Sequence, residues 1–151
     1  MAKTVLIVED ESNIRELLRM YLEQEGYIVE MAQNGAEGLR IFKRVHPDLV
    51  LLDLMMPIMD GTQMIRELRS FSNTPVIMLT AKGEMLDKIA GLELGADDYI
   101  TKPFQIREVM ARIKANLRKA ELNTNVDAMN NKKNGITIAY DILFTHISCM
   151  V

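Results

Sequence analysis

The stretch Leu49–Pro57, "LVLLDLMMP", places an acid, Asp53, inside an apolar run. Short runs of Val, Ile and Leu are typical of strands that are buried on both faces of a parallel sheet. An ionised carboxylate buried there without partners would cost several kcal/mol, which is a large share of a small domain's stability. We therefore expect Asp53 to have partners elsewhere in the sequence.

The composition limits the class of protein. A chain of 151 residues suffices for one ordinary domain and a short appendage, and its net charge of -3 argues against a surface that binds nucleic acid or an anionic membrane by itself. The single cysteine, Cys149, cannot form an internal disulfide. No run resembles a signal peptide or approaches the roughly 20 apolar residues of a membrane span, so we predict a cytoplasmic protein.

Short apolar runs alternate along the chain with segments of helical period. The predicted strands are Thr4–Val8, Tyr27–Ala32, Leu49–Asp53, Pro75–Ala81 and Asp97–Pro103. The predicted helices begin at the N-cap Ser12, at Asn34, at Asp60, at Glu84 and close to Ile106. Five βα repeats predict an α/β fold with a five-stranded, parallel, doubly wound sheet and five helices.

The character of the sequence changes near Glu121. Residues 121–135 are polar, rich in Asn and without apolar period, which predicts a linker. Residues 136–151 begin with the alternation of a half-buried strand, and one strand is not stable alone. We therefore expect a domain over 1–120, a linker over 121–135, and over 136–151 the start of a truncated second domain, disordered or strand-like.

Reactive side chains follow four of the five predicted strands. They are Glu9 and Asp10, Asp53, Thr80 and Lys102. Each of them alone has an ordinary structural explanation, except Asp53, whose apolar surroundings make such an explanation harder. Ligands of open α/β sheets bind at the carboxyl ends of the strands, where all five residues lie. Converging carboxylates repel each other, and Mg²⁺ relieves that repulsion. We predict that Mg²⁺ and Lys102 keep Asp53 ionised, so that its oxygen can accept a phosphoryl group.

Four stretches resemble the receiver domain of two-component response regulators, namely "LIVEDE", "PDLVLLDLMMPIMDG", "PVIMLTA" and "GADDYITKPF". The resemblance covers residues 1 to about 120 and implies a flavodoxin/CheY-like strand order, 2-1-3-4-5. It implies that Asp53 accepts phosphate from a histidine kinase or a small phosphodonor. It also implies Mg²⁺ ligands from the side chains of Asp10 and Asp53 and from the carbonyl of Met55, with Glu9 acting largely through water.

The same resemblance assigns the remaining parts of the switch. Thr80 and Lys102 would bind the phosphoryl oxygens, and a cis peptide bond is expected before Pro103. Phosphorylation would draw Thr80 towards the phosphate, and Tyr99 would swing inward and repack the face formed by the predicted fourth helix, the last strand and the predicted fifth helix.

The OmpR/PhoB subfamily is the most similar, and its receivers dimerise through that face. The matching charged pairs here are Lys88 with Glu108, Asp98 with Arg112, and Asp97 with Lys119. These residues could equally be ordinary solvated helix charges, since isolated surface pairs contribute only about 0–1 kcal/mol. The subfamily's winged-helix domain needs about 100 further residues, and only "ITIAYDILF" resembles its first strands. We therefore expect a truncated transcription regulator that binds DNA only through a missing effector domain.

Three other functions are alternatives to this prediction. A stand-alone receiver that acts by binding a partner protein would have the same site and differ in the tail. An aspartyl-phosphate hydrolase usually carries a second acid two residues after its nucleophile, but that position is Met55. A flavodoxin-like electron carrier is disfavoured because an acid-lined pocket would repel the FMN phosphate. The sequence thus predicts a phosphoacceptor switch that assists its own phosphorylation and dephosphorylation, not an enzyme.

Overall fold

Five strands form one parallel sheet in the order β2-β1-β3-β4-β5, which confirms the predicted topology. The structure is a computed structural model that describes residues 2–81 and 95–133, with side chains over 2–81 and 95–123. The strands are β1 (Thr4–Val8), β2 (Ile28–Ala32), β3 (Leu49–Asp53), β4 (Val76–Ala81) and β5 (Asp98–Lys102). The described helices are α1 (Ser12–Gln24), α2 (Gly35–Val45), α3 (Gly61–Arg69) and α4 (Ile106–Lys133).

The central strand β3 is buried along its whole length, as its apolar run predicted. Its side chains alternate between two cores, because successive residues of a strand point to opposite faces of the sheet. Val50 and Leu52 belong to the core that contains the buried residues of α2 and α3. Leu49 and Leu51 belong to the core that contains those of α1 and α4. The sheet is therefore covered on both faces, which is the doubly wound arrangement.

Two of the helices begin at a side-chain cap. The Asn34 side chain accepts a hydrogen bond from the Glu37 amide at the start of α2, and Asp60 accepts one from the Gln63 amide at the start of α3. The prediction of Ser12 as the N-cap of α1 was wrong by one residue. The N-cap is Glu11, whose carbonyl accepts the first helical hydrogen bond and whose side chain makes no capping bond.

The last described helix, α4, is longer than predicted. It continues to Lys133, across most of the segment 121–135 that was expected to be a linker. No Gly or Pro occurs between Pro103 and Gly135, and a polar composition does not by itself end a helix. The chain divides into two units, Met1–Leu117 and Arg118–Val151. Within the described part of the chain, no helix combines the length and the apolar content that crossing a bilayer requires.

Two predicted elements lie outside the described residues. These are the fourth helix, expected over 84–94, and the strand-like segment 136–151. The residues that the structure describes therefore contain four helices, where the sequence predicted five along the whole chain.

Candidate functional site

The strand register brings the predicted site residues to one edge of the sheet. Val8 is paired with Leu52, so the next residue on each strand places Glu9 beside Asp53. Asp53 is in turn the partner of Leu79 on β4, directly before Thr80. The last pair of β4 and β5 joins Ala81 to Lys102. Residues that are far apart in the sequence therefore lie close together, because their strands end at the same edge of the sheet.

Three carboxylates gather at this edge. One oxygen from each of Glu9, Asp10 and Asp53 lies within 4.8 Å of the other two. Glu9 is fully buried and Asp53 is only 5% exposed, whereas Asp10 is exposed to solvent. Like charges this close repel each other strongly unless a cation lies among them. The cluster is thus buried on the side of Glu9 and Asp53 and open to solvent at Asp10, and a cation could enter from the open side.

Lys102 joins this cluster from β5. Its Nζ donates to Glu9 Oε1 at 2.8 Å and lies 3.4 Å from Asp53 Oδ2. The sequence placed Lys102 near Asp53, and the structure brings them together, but the shorter contact is to Glu9. The peptide bond between Lys102 and Pro103 is cis, as the resemblance implied.

The second oxygen of Glu9 supplies a direct test of whether a metal fits. Oε2 of Glu9 is buried and has no hydrogen-bond partner among the residues that the structure describes. Buried carboxylate oxygens are almost always satisfied by a donor, a water or a metal. An unsatisfied anionic oxygen beside two further carboxylates is the donor set that a hard divalent cation or its bound water takes. The residues present therefore fit Mg²⁺.

Asp53 is hard to ionise in the absence of a cation. The pKa of Asp53 is raised from 3.8 to about 8, first by burial and then by the neighbouring Glu9 carboxylate, and the charge of Lys102 offsets only part of this rise. For Lys102, burial acts to lower the pKa, but the hydrogen bond to Glu9 and the charges of Asp53 and Glu9 raise it overall. Without a cation, burial and Glu9 therefore outweigh the charge of Lys102, and the predicted ionisation of Asp53 requires the metal as well as the lysine.

The loop after Asp53 approaches the strand end closely. The Met55 amide donates to Asp53 Oδ1 at 3.3 Å, and the Gly61 amide donates to the carbonyl of Leu54. A Cβ on Gly61 would lie 2.6 Å from the Asp53 carbonyl oxygen, which no side chain tolerates. In the sequence, Asp60 and Gly61 together predict only the start of a helix. Its lack of a side chain also lets α3 begin against the residue that carries the site.

The predicted switch residues Thr80 and Tyr99 lie on the neighbouring strands β4 and β5. Thr80 is buried at the carboxyl end of β4, opposite Thr101 of β5. Tyr99 is half-buried opposite Met78 and packs against the core on the side of α2 and α3. Their coupled movement stays a prediction.

Two residues expected to pair between subunits pair here within one chain. Arg112 Nη1 lies 2.8 Å from Asp98 Oδ1, and Arg112 Nε lies 3.2 Å from Glu108 Oε1. Asn116, which no pattern in the sequence indicates as a partner, donates to Asp98 Oδ2 at 3.1 Å. Any contact between two copies through Asp98 and Arg112 must therefore compete with this internal network.

The other predicted interface residues are Asp97, Lys119 and Lys88, of which Asp97 binds other residues of the same chain. Asp97 Oδ2 accepts from Arg69 Nη2 at 2.9 Å and from the Val76 amide at 2.8 Å, so it fastens α3 to the start of β4. Lys119 is exposed, and Lys88 lies outside the described residues.

The sheet order, the buried acids and the lysine together define a receiver domain. The chain belongs to the response regulator receiver domain family, whose model matches residues 5–114. It is 46% identical over 144 residues to the transcriptional regulatory protein ResD of Bacillus subtilis (strain 168). That match covers 95% of this chain and 58% of ResD, so the chain spans little more than half the length of this relative.

Solved structures agree with this assignment. The receiver domain of the TMAO respiratory system response regulator TorR is 39% identical and superposes with a TM-score of 0.74, over 78% of this chain and 98% of that one. A CheY-like receiver domain protein from Methanospirillum hungatei JF-1 is 33% identical with a TM-score of 0.76, over 80% and 98% of the two chains. NtrX from Brucella abortus is 27% identical with a TM-score of 0.83, over 90% and 31%.

Proposed function

We propose that this receiver is switched by phosphorylation of Asp53, with the phosphoryl group supplied by a histidine kinase. The observation that carries the proposal is a nearly buried carboxylate, 5% exposed, in one cluster with two further acids and a lysine. An oxygen of Asp53 forms the new bond to phosphorus as the bond from phosphorus to the kinase histidine breaks. The electron pair of that bond stays on the imidazole nitrogen.

The remaining site residues would hold the charge that builds up in this transfer. The side chains of Asp10 and Asp53 and the carbonyl of Met55 would bind Mg²⁺, and Glu9 would act through a bound water. When bound, Mg²⁺ would offset the negative charge of the acids and of the phosphoryl oxygens. Lys102 and Thr80 would donate to those oxygens, for which Lys102 must give up part of its present contact with Glu9.

The output of the switch is the other half of the proposal. Phosphorylation would draw Thr80 inward with Tyr99, and dimerisation would follow through the face of β5, the start of α4 and the segment 84–94. Transcription would then be controlled by a DNA-binding domain, for which the name of ResD is the support. We place the protein in the cytoplasm, where histidine kinases present their phosphohistidine.

Size-exclusion chromatography of the full chain tests acceptor, metal and dimer together. Beryllofluoride mimics a phosphoryl group on an aspartate, so the protein should elute as a monomer alone and as a dimer when beryllofluoride and Mg²⁺ are both present. Either addition by itself should leave the elution volume unchanged. A monomer under all conditions would contradict the dimer, and full binding of beryllofluoride in EDTA would contradict the metal.

A charge-reversal pair tests the contact proposed between subunits. Arg112→Glu should weaken the beryllofluoride-induced dimer roughly tenfold in sedimentation equilibrium, because the new acid would face Asp98 of the second copy. Asp98→Arg in the same chain should restore part of that loss. Arg107→Glu, an equal reversal at an exposed position five residues earlier in α4, is the control and should have little effect. A double variant no stronger than Arg112→Glu alone would argue against the pair.

A further inference from the structure

Arg15 contacts the backbone of the two acids that end β1. Its Nη1 donates to the carbonyl oxygen of Glu9 at 2.7 Å and to that of Asp10 at 3.2 Å. One guanidinium nitrogen therefore bridges two consecutive carbonyls from the first turn of α1. Hydrogen bonds from a charged donor are stronger than those between neutral groups.

Besides these bonds, the segment between β1 and α1 is held at the Glu9 carboxylate, whose Oε1 accepts from Lys102 Nζ at 2.8 Å. Helix α1 begins at Glu11 without a side-chain cap, unlike α2 and α3. On the strand side, the Glu9 amide donates to the carbonyl of Ala32 at 3.0 Å. The direction of each carboxylate follows from the dihedral angles of its own residue, and the guanidinium of Arg15 holds the peptide units that set those angles.

We propose that Arg15 is a positioning residue, which holds the backbone of Glu9 and Asp10 so that both carboxylates face Asp53. It acts on the cation through the geometry of the two acids. This inference rests on the proposed function only in taking Mg²⁺ as the cation. The charge of Arg15 by itself would weaken cation binding, and a variant that keeps this charge separates the charge effect from the positioning effect.

Isothermal titration of the metal-free full chain with MgCl₂ measures the effect on affinity. Arg15→Met should weaken Mg²⁺ binding roughly tenfold, as is typical when a residue that orients metal ligands is lost. Arg15→Lys keeps the charge and one nitrogen that can reach the carbonyls, so it should recover part of that loss. The matched control is Arg19→Met on the next turn, since Arg19 binds only the exposed Glu16 and Glu23 among its described partners.

Hydrogen exchange in EDTA gives a second measurement that needs no metal. The Glu9 amide should exchange faster in Arg15→Met than in the wild type and should be unchanged in Arg19→Met. Wild-type Mg²⁺ affinity in Arg15→Met would overturn the inference, as would an Arg15→Lys variant that binds no better than Arg15→Met. If the wild type itself binds no Mg²⁺, the proposed function fails, and the exchange of the Glu9 amide alone decides the role of Arg15.

Discussion

Asp53→Asn should abolish labelling of the protein by acetyl phosphate. The amide of Asn has nearly the shape of the carboxyl group, but its nitrogen and oxygen are too weakly nucleophilic to attack phosphorus. Lys102 Nζ lies 3.4 Å from Asp53 and 2.8 Å from Glu9, but Glu9 is fully buried, whereas 5% of Asp53 is exposed. The expected effect is therefore a complete loss, read as the absence of the added phosphoryl mass in intact-protein mass spectrometry.

The control for this experiment is an equal change at the opposite end of the same strand. Asp48 precedes β3 and accepts a hydrogen bond from the Thr4 amide, which Asn in its place can also accept. Asp48→Asn should therefore be labelled like the wild type. Labelling of Asp53→Asn at full stoichiometry would show that another residue is the acceptor. Exposed Asp10 would then be the first alternative to map.

Much of the fold could be predicted from the sequence because local patterns and burial agree here. The apolar run around Asp53 becomes the central strand, and β1 and β4 lie where continuous apolar runs placed them. Asn34 and Asp60 cap their helices, as their short polar side chains allow. The end of α4 could not be predicted in this way, because a polar segment without Gly or Pro is compatible with either a helix or a linker.

The site was predictable as a set of residues but not as a set of contacts. Parallel strands bring their carboxyl ends to one edge, so the residue types at those ends sufficed to find Glu9, Asp53 and Lys102 together. Which acid Lys102 contacts more closely depends on side-chain geometry, which strand register alone does not fix. The contact of Arg15 with two carbonyls could not be predicted either. A hydrogen bond from a side chain to the backbone is not marked by any pattern of residue types.

The acid cluster also predicts how stability depends on pH when no metal is bound. The pKa of Asp53 is about 8 in the folded chain, against an ordinary value of 3.8, mainly because burial disfavours its charged form. Between these two values the folded state binds more protons than the unfolded state, so the contribution of Asp53 to stability falls as the pH rises from about 4 to about 8. Below this range the carboxyl group is protonated in both states and contributes no slope.

Asp53→Asn should therefore be more stable than the wild type in EDTA, by an amount that grows from near zero at pH 4 to several kcal/mol at pH 8. Since each unit of pKa shift corresponds to about 1.4 kcal/mol, this is a large share of the roughly 5–15 kcal/mol of an ordinary domain. Urea unfolding at several pH values measures the difference in the free energy of unfolding between the variant and the wild type. Groups that titrate identically in both proteins do not affect this difference. Saturating Mg²⁺ should reduce the gain, because it stabilises the wild type and loses a ligand in the variant. A gain in stability that is constant from pH 4 to pH 8 would show that Asp53 is not the acid of the cluster whose pKa is raised.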